Sequence, residues 1–314
     1  MGIPIGLSMY TVRNTSVKDF QGTLDRIAAI GYEYIEIIRH PGNPDTMFMP
    51  AKELKEHVSK CGLKVMSSHE GPGIYVGLNL MSEEAYKQYC KNAGYICPEV
   101  LPTDDEMIDY HLELGTEGGL VFALGIFNSE EQLKRTIERF NVFGEKCSKK
   151  GLNFYYHSHF QEFELMNGKP VLDLLLEQTD PKFLKLEMDA FWAQRAGQDP
   201  VALLKKYDRR CELLHVKDVS KDVTVVNLLE KYHSPFSLKL IVDCSSEYPA
   251  EFTEVGEGML DIEGLVKQAV ESNVRCLLVE QDEMNKLSEL ESIEVSFNNL
   301  NRIVTALDKG QAKS

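Results

Sequence analysis

Short apolar runs alternate with amphipathic stretches along most of the chain. The short runs predict buried strands, and the stretches with apolar residues three and four positions apart predict helices that pack one face against a core. Because strands that alternate with helices pair in parallel through helical crossovers, this order predicts an α/β fold. The predicted strands cover residues 3–9, 34–38, 63–67, 119–124, 152–156, 183–188, 212–216 and 275–279.

Capping residues and a glycine mark the predicted helix boundaries. Ser16, with Asp19 three residues later, has the spacing of a capping box and predicts where the first helix begins. Gly31 predicts where that helix ends, since glycine is the common residue after a helix C-terminus. Ser129, with Gln132 three residues later, predicts a second helix start of the same kind.

Eight strand-then-helix units favour a closed (β/α)₈ barrel over a doubly wound open sheet, although alternation alone is compatible with both. We therefore expect a single TIM-barrel domain over residues 1–310 and a short tail over 311–314. Two connections, about 71–105 after the third strand and 220–258 after the seventh, are too long for simple loops. Both follow the C-terminal end of a strand, where barrel active sites are built, so we predict lid-like insertions.

Composition narrows the classes of partner. The 314 residues are 43% hydrophobic, and 34 Lys and Arg stand against 49 Asp and Glu, a formal net charge of −15. Such a balance argues against nucleic acid or an anionic membrane as partner. The seven cysteines are scattered without a C-x-x-C pair, as in reduced thiols. With neither a signal peptide nor a long apolar run in the sequence, a cytoplasmic protein is expected.

Polar side chains that can bind metals stand at the C-terminal ends of several predicted strands. Two imidazoles and two carboxylates, from strands five to eight, form a mixed nitrogen and oxygen set: His157, Asp189, His215 and Glu280. Mn²⁺, Zn²⁺, Co²⁺ and Fe²⁺ suit such a set better than Mg²⁺ or Ca²⁺, which prefer oxygen ligands alone. A single histidine at a strand end is more often a hydrogen-bonded structural residue, and the prediction rests on four adjacent strands ending alike.

An ordered series of motifs resembles the xylose-isomerase-like sugar phosphate isomerase/epimerase superfamily. The resemblance covers nearly the whole chain except the two long connections. It is carried by GLSMYTVR at 6–13, IAAIGYEYIEI at 27–37, YHSHFQEF at 156–163, EMDAFW at 187–192, AGQDP at 196–200, LHVKD at 214–218, VGEG at 255–258 and VEQD at 279–282. It implies one divalent metal held by His157, Asp189, His215 and Glu280. We expect Mn²⁺ first, with Zn²⁺, Co²⁺, Fe²⁺ or Mg²⁺ as alternatives.

His157 departs from the pattern of the superfamily. Sugar epimerases that this chain resembles usually have a glutamate there, which serves both as metal ligand and as proton-transfer base. An imidazole makes the site one negative charge poorer and removes one of two symmetric bases, so elimination gains weight over epimerisation. Glu162 or Glu164 are alternative ligands in place of His157.

Four residues are candidates for catalysis: His159, Lys217, Glu280 and Glu162. His159 could be a general base, because imidazole titrates near neutral pH, or it could orient Glu162 or a metal ligand. Lys217 could stabilise an enolate oxygen, or it could pair with Asp218 at the surface.

Four further residues are candidates for substrate contact, each with a structural role as the alternative. They are His69, Glu70, Trp192 and Glu36. Trp192 could stack on a sugar ring or pack in the core. His69 and Glu70 follow the third strand directly, where they would reach the mouth.

These observations predict a metal-dependent isomerase or epimerase that takes a proton next to a carbonyl of a sugar or keto-sugar. The alternative is a lyase that eliminates the aglycone from a 3-keto-glycoside, C-glycosides included, with a small partner subunit. A nuclease that acts at abasic sites is disfavoured by the negative charge, and a non-catalytic subunit would bind no metal. We expect a small carbohydrate as substrate and a homo-oligomer.

Overall fold

Eight parallel strands close into a barrel in the computed structural model, which describes residues 2–39, 49–70, 82–93 and 102–311. Strands adjacent in the chain pair with each other, and β1 pairs with β8 to close the barrel, with Ile5 opposite Leu277. The (β/α)₈ prediction is confirmed, and the open sheet is excluded. The strands are β1 (Ile5–Ser8), β2 (Tyr34–Arg39), β3 (Lys64–Glu70), β4 (Gly119–Phe122), β5 (Asn153–His157), β6 (Lys185–Asp189), β7 (Cys211–Val216) and β8 (Cys276–Val279).

Helices surround the barrel, and one of the two predicted helix starts is confirmed. Ser129 accepts a hydrogen bond from the Gln132 backbone N–H at 3.2 Å, as the sequence predicts. The predicted start at Ser16 is wrong: Asp19 is the cap and accepts from Gly22 N at 2.9 Å, while Ser16 ends a short preceding turn. The helices are α1 (Phe20–Ile30), α2 (Ala51–Lys60), α3 (Glu83–Ala93), α4 (Asp104–Leu114), α5 (Glu130–Lys149), α6 (Val171–Gln178), α7 (Ala190–Arg195), α8 (Pro200–Tyr207), α9 (Leu238–Glu247), α10 (Ile262–Glu271) and α11 (Glu289–Gln311).

Apolar side chains fill the barrel interior below its C-terminal mouth. Because side chains alternate along a regular strand, the residue two positions after an inward apolar residue points into the barrel one layer higher. Leu213 lies beneath His215 in this way, and Tyr155 lies beneath His157. The polar residues of the mouth therefore stand on a dry floor. That floor consists of Tyr34, Met66, Val121, Tyr155, Leu213, Cys276 and Leu278.

The two long connections differ in how much of them is described. Residues 71–81 and 94–101, most of the predicted lid over 71–105, lie outside the described residues, as do 312–314 of the predicted tail. The segment 220–258 contains α9, and residues Phe252–Thr253 return to pair with Asp218–Val219 just after β7. Among the described helices, none combines the length and the apolar character that a membrane crossing needs.

Candidate active site

Glu187 lies at the centre of the barrel mouth, where three imidazoles surround its carboxylate. Its Oε2 is 3.0 Å from His69 Nε2 and 3.2 Å from His157 Nδ1. Its Oε1 is 3.3 Å from His215 Nε2. Burial alone would raise the pKa of Glu187, but His215 and His69 hold it well below its usual range. The sequence analysis gave Glu187 no role, although it lies two residues before Asp189 and so shares the inward face of that strand.

His215 lies between two carboxylates. Its Nε2 lies 2.8 Å from Glu36 Oε1 and its Nδ1 lies 3.0 Å from Glu280 Oε2, so both ring nitrogens are within hydrogen-bond distance of a carboxylate. Burial would lower the pKa of His215, yet Glu36, Glu187 and Glu280 raise it well above its usual value. Burial and the Glu187 charge raise the pKa of Glu36 to about 7. Glu36 is fully buried beneath the rings, so it supports them.

Lys217 points into the mouth. Its Nζ lies 2.6 Å from Glu280 Oε2, 2.8 Å from Asp282 Oδ1 and 3.2 Å from Asp189 Oδ2. The alternative pairing with Asp218 does not occur, because the Asp218 carboxylate accepts the backbone N–H groups of residues 256, 258 and 260 instead. Burial would lower the pKa of Lys217, but the three carboxylates raise it well above its usual value, so the ammonium stays charged.

Three of the four predicted metal ligands bring donor atoms together, and the fourth, His157, lies beside one of them. Asp189, His215 and Glu280 each place one ligand atom within 4.8 Å of the others. Burial and His215 lower the pKa of His157 to about 4, so its ring is neutral; with Nδ1 donating to Glu187, Nε2 carries a lone pair. That lone pair faces Asp189 Oδ2 at 3.7 Å, and two acceptors at this distance favour a cation between them. The residues present therefore fit a divalent metal.

A second group of possible ligands lies one layer deeper and shares two imidazoles with the first. One atom from each of its members also lies within 4.8 Å of the others. Two of its imidazoles, His69 and His157, are already hydrogen-bonded to Glu187 Oε2, whereas His157 Nε2 and Asp189 Oδ2 of the first group face each other without a hydrogen bond. The deeper group consists of His69, His157, Glu187 and His215.

A cavity of about 370 Å³ opens above these residues. Of the predicted site residues, the structure brings six to its wall: His69, His157, His159, Trp192, Lys217 and Glu280. Apolar side chains form another part of the lining, among them Leu124, Phe191, Ile241 and Phe252. The cavity thus offers both a charged floor and an apolar surface.

His159 is a neutral imidazole at this cavity. Its ring centroid lies 4.8 Å from that of His157 and 5.3 Å from that of Trp192. Burial, with the nearby His157 and Lys217, lowers the pKa of His159 well below its usual value. Nδ1 is buried and has no hydrogen-bond partner among the described residues. The ring is therefore held by packing, and Nε2 is the nitrogen that can meet a ligand.

Glu162 lies behind β5, away from the cavity. Its carboxylate accepts from the Tyr156 hydroxyl, from the His159 backbone N–H at 2.8 Å and from Gln161 Nε2 at 2.9 Å. Burial raises the pKa of Glu162 to about 7 against these hydrogen bonds. Glu162 thus fixes the backbone of His159, and the structure gives it no contact with the proposed ligands. Glu164, the other alternative ligand, faces His233.

Glu70 faces the outer side of β3. It accepts from His111 Nε2 at 2.7 Å and from Ser68 Oγ at 2.9 Å, and it pairs with Arg39 at 3.3 Å. Burial would raise the pKa of Glu70, but Arg39 and His111 lower it to about 2. Its placement does not support the predicted substrate contact. His111, which belongs to none of the sequence motifs, is fully buried here.

Two clusters of charge therefore meet at β3. The mouth cluster lies inside the barrel and consists of Glu36, His69, His157, Glu187, Asp189, His215, Lys217, Glu280 and Asp282. The wall cluster lies between β3 and α4 and consists of Arg39, Ser68, Glu70 and His111. Sequence reasoning missed Glu187 and Asp282 as members, although each lies two residues from a predicted ligand and shares its face of the strand.

Comparisons with known proteins agree with this architecture. The family model described as xylose isomerase-like TIM barrel matches residues 24–296. An inosose dehydratase from Clostridium tetani is 28% identical over 156 residues, which make up 49% of this chain and 49% of that protein. The match thus spans about half the length of this relative.

Two solved structures show the same fold. A sugar phosphate isomerase/epimerase from Parabacteroides distasonis superposes with a TM-score of 0.72 at 24% identity, covering 97% of this chain and 96% of that one. The IolI protein with a bound zinc atom gives a TM-score of 0.64 at 15% identity, covering 98% and 99%.

Proposed function

The chain belongs to the family of xylose isomerase-like TIM barrels, and on that premise we propose that it is a metal-dependent lyase acting on a hydroxylated keto-carbohydrate. In the proposed reaction a proton leaves the carbon next to the carbonyl, and a hydroxide or alkoxide leaves the following carbon. The observation that carries the proposal is the neutral His159 imidazole, which faces the cavity beside Lys217 and a convergent set of metal-binding side chains.

We propose His157, Asp189, His215 and Glu280 as the metal ligands. The lone pair of His157 Nε2 opposite Asp189 Oδ2 supports this set over the deeper one, in which His69 and His157 already hydrogen-bond to Glu187 Oε2. A divalent cation held there supplies a Lewis acid for the carbonyl and hydroxyl oxygens of the substrate. Two imidazoles among four ligands suit zinc, which the related IolI structure holds, as well as the Mn²⁺ that the sequence analysis expected first.

His159 is the proposed base. Its low pKa keeps Nε2 free to take the proton from carbon, and the resulting imidazolium can return that proton to the departing oxygen. Glu280 is a poor base by comparison, because Lys217 and His215 hold its pKa well below its usual range against the effect of burial. The proposal therefore keeps Glu280 as a ligand only.

Lys217 is proposed to stabilise negative charge on the substrate carbonyl oxygen. Its side chain is 2% exposed, and its ammonium stays charged beside Asp189, Glu280 and Asp282. A fixed donor in a dry site stabilises developing charge without reorganising during the reaction. The apolar surface of Phe191 and Phe252 helps to exclude water from this reaction.

Elimination is favoured over the epimerisation that the sequence analysis placed first. Epimerisation needs a second group that delivers a proton to the opposite face of the carbon. The epimerases that this chain resembles usually have a glutamate for this at the position of His157, and the proposal uses His157 as a metal ligand. One base suffices for elimination or isomerisation. Between these two, the similarity to inosose dehydratases favours elimination.

A keto-glycoside is the second candidate substrate. Its aglycone would need an apolar surface beside the sugar site, and Phe191, Ile241 and Phe252 offer one in the same cavity. In that case the leaving oxygen or carbon belongs to the aglycone, and the proton transfer at His159 is unchanged.

The test is to incubate metal-loaded protein in deuterated water with a panel of inososes and 3-keto-glycosides. With inososes, elimination should form a conjugated enone, which is followed by its ultraviolet absorbance. A sample treated with a chelator should show no such increase in absorbance. Deuterium uptake without enone or aglycone release would replace elimination by isomerisation or epimerisation. Neither signal from any panel member would contradict the proposal.

A further inference from the structure

Arg195 is a buried guanidinium at the substrate cavity. It ends α7, is 2% exposed, and contributes to the lining together with Lys217 and Trp192. A charge removed from water destabilises the fold unless an opposite charge or a full set of hydrogen bonds replaces the water.

The described residues satisfy only part of this guanidinium. Nη2 donates to the Tyr248 carbonyl at 2.9 Å, and the ring of Phe191 lies 5.7 Å from the guanidinium carbon. Nε is buried without an acceptor, and no acidic side chain in the described ranges pairs with Arg195. A guanidinium has five N–H donors, and most of those of Arg195 thus have no acceptor among the residues that the structure describes.

Two other arginines with an unsatisfied Nε show the contrast. Arg39 pairs with Glu70, and Arg210 donates from both terminal nitrogens, to the Leu176 carbonyl at 2.8 Å and to Thr179 Oγ1 at 3.0 Å. Neither of them contributes to the cavity lining. Arg195 alone of the three combines a missing acidic partner with a place at the cavity.

We propose that Arg195 binds an anionic group of the substrate, a carboxylate or a phosphate, in the outer part of the cavity. A planar guanidinium offers two parallel N–H donors to such a group, which is the geometry that carboxylate and phosphate oxygens accept. Ser245 and Ser246, close to Tyr248 in the chain, also line the cavity and can donate to the same oxygens. The inference rests on the proposed function in taking this cavity as the substrate site.

The competing explanation is that Arg195 only braces the end of α9. The Tyr248 carbonyl belongs to the residue that caps α9, and a cation stabilises a helix C-terminus. A brace predicts that loss of the guanidinium destabilises the fold and weakens every ligand equally. An anion site predicts a selective loss for charged ligands, and this difference makes the two roles separable.

The experiment measures binding of glucose, glucuronate and glucose 6-phosphate to the metal-free protein by calorimetry. Trp192, the single tryptophan of the chain, lies in the cavity, so its fluorescence reports whether the ligand binds there. We expect wild type to bind glucuronate or glucose 6-phosphate about 10- to 100-fold more tightly than glucose, the range for hydrogen bonds to a charged group. Whichever is preferred identifies a carboxylate or a phosphate.

R195Q should bring the charged sugar to the affinity of glucose without changing the glucose affinity or Tm. R195K should retain part of the preference, and R209Q, a charge-matched change at an exposed arginine, should behave as wild type. Equal or undetectable binding of all three sugars to wild type overturns the inference, as does a preference that survives R195Q. A lower Tm with equal weakening of all three sugars shows a brace. Because no turnover or metal is involved, failure of the lyase assay leaves this result standing.

Discussion

His69 and Glu70 are neighbours in the chain, yet they belong to two different charge clusters on opposite faces of β3. Both clusters are buried, and both combine carboxylate, imidazole and a cationic side chain. In the wall cluster, Glu70 accepts from Ser68 and His111 and pairs with Arg39, while His111 Nδ1 meets Thr116 Oγ1 at 3.0 Å. In the mouth cluster, Asp189 Oδ2 and Glu187 Oε1 are buried without a well-aligned hydrogen bond.

The two clusters differ in which groups satisfy their buried acceptor atoms. The carboxylate of the wall cluster is satisfied by protein groups alone, so that cluster joins β3 to α4 as a structural element. The mouth cluster has acceptor atoms facing each other and opens to a cavity, so an additional cation or ligand can complete it. Burial and charge are similar in the two places, and satisfaction of the acceptors distinguishes a chemical site from a structural one.

The largest expected effect is loss of the metal from the mouth cluster. Asp189→Ala removes a proposed ligand, and we expect stoichiometric metal to disappear after dialysis, as measured by elemental analysis. Asp104→Ala, which changes a carboxylate paired with Arg139 and Lys146 away from the mouth, should keep it.

Metal that survives Asp189→Ala would move the site to the deeper group. In that case Glu187→Gln should remove it, because Glu187 contacts all three imidazoles of that group. This pair of variants therefore decides between the two sets of ligands.

The next effect concerns proton transfer. His159→Asn should leave metal content unchanged and lower turnover by about 10²- to 10⁴-fold, the range for a positioned general base. If His159 instead orients a ligand, metal affinity should fall by about 10- to 100-fold. His233→Asn, at a histidine whose side chain is 67% exposed, is the control. Unchanged turnover and affinity would exclude both roles.

In the wall cluster the expected effect is on stability. Glu70→Gln keeps the shape but leaves Arg39 without its charge partner, and breaking a buried pair costs about 3 kcal/mol. The control is Glu117→Gln. Glu117 pairs with Lys64 and its side chain is 41% exposed, so this change should cost about 1 kcal/mol or less. Urea unfolding measures both. A similar small cost at both positions would show that the wall cluster is no more than a surface ion pair.

The smallest effect is the pH dependence of the difference in unfolding free energy between wild type and Glu70→Gln. The pKa of Glu70 is about 2 in the folded protein against an ordinary value of 4.5, so the unfolded state takes up its proton first as pH falls. The stabilisation is complete above pH 4.5 and is lost as pH falls towards 2. The gap in unfolding free energy between wild type and Glu70→Gln should therefore narrow over this range. A gap independent of pH would contradict a charge effect.

The sequence predicts the barrel well because each element carries a local signal of period or capping. The inward residues at the ends of β5 to β8 follow from the same alternation along a strand. Alternation does not predict which side chains of β3 point inward, because the pairing of β3 with β2 shifts register at Ile35 and Glu36. Glu70 was consequently expected at the mouth, and the structure places it in the wall.

Residues that depend on packing between distant elements were beyond the sequence. Glu187 shares the inward face of β6 with Asp189, but its three imidazole partners come from β3, β5 and β7. Arg195 lies on a short helix and reaches the Tyr248 carbonyl in segment 220–258, and no periodicity within six residues determines which side chain reaches the cavity.

Asp218 gives segment 220–258 a common base at the end of β7. Its carboxylate binds the backbone N–H groups of Gly256, Gly258 and Leu260, and Ser220 N donates to the Glu251 carbonyl at 2.8 Å. A side chain at Gly258 would place its Cβ 2.0 Å from the Asp218 carboxylate, so this closure requires glycine. With both ends of the segment tied together there, its length and content can change during evolution or by grafting while the barrel floor and Lys217 keep their places. We therefore expect that replacing segment 220–258 changes which substrates the cavity accepts and leaves the catalytic side chains of the barrel in place.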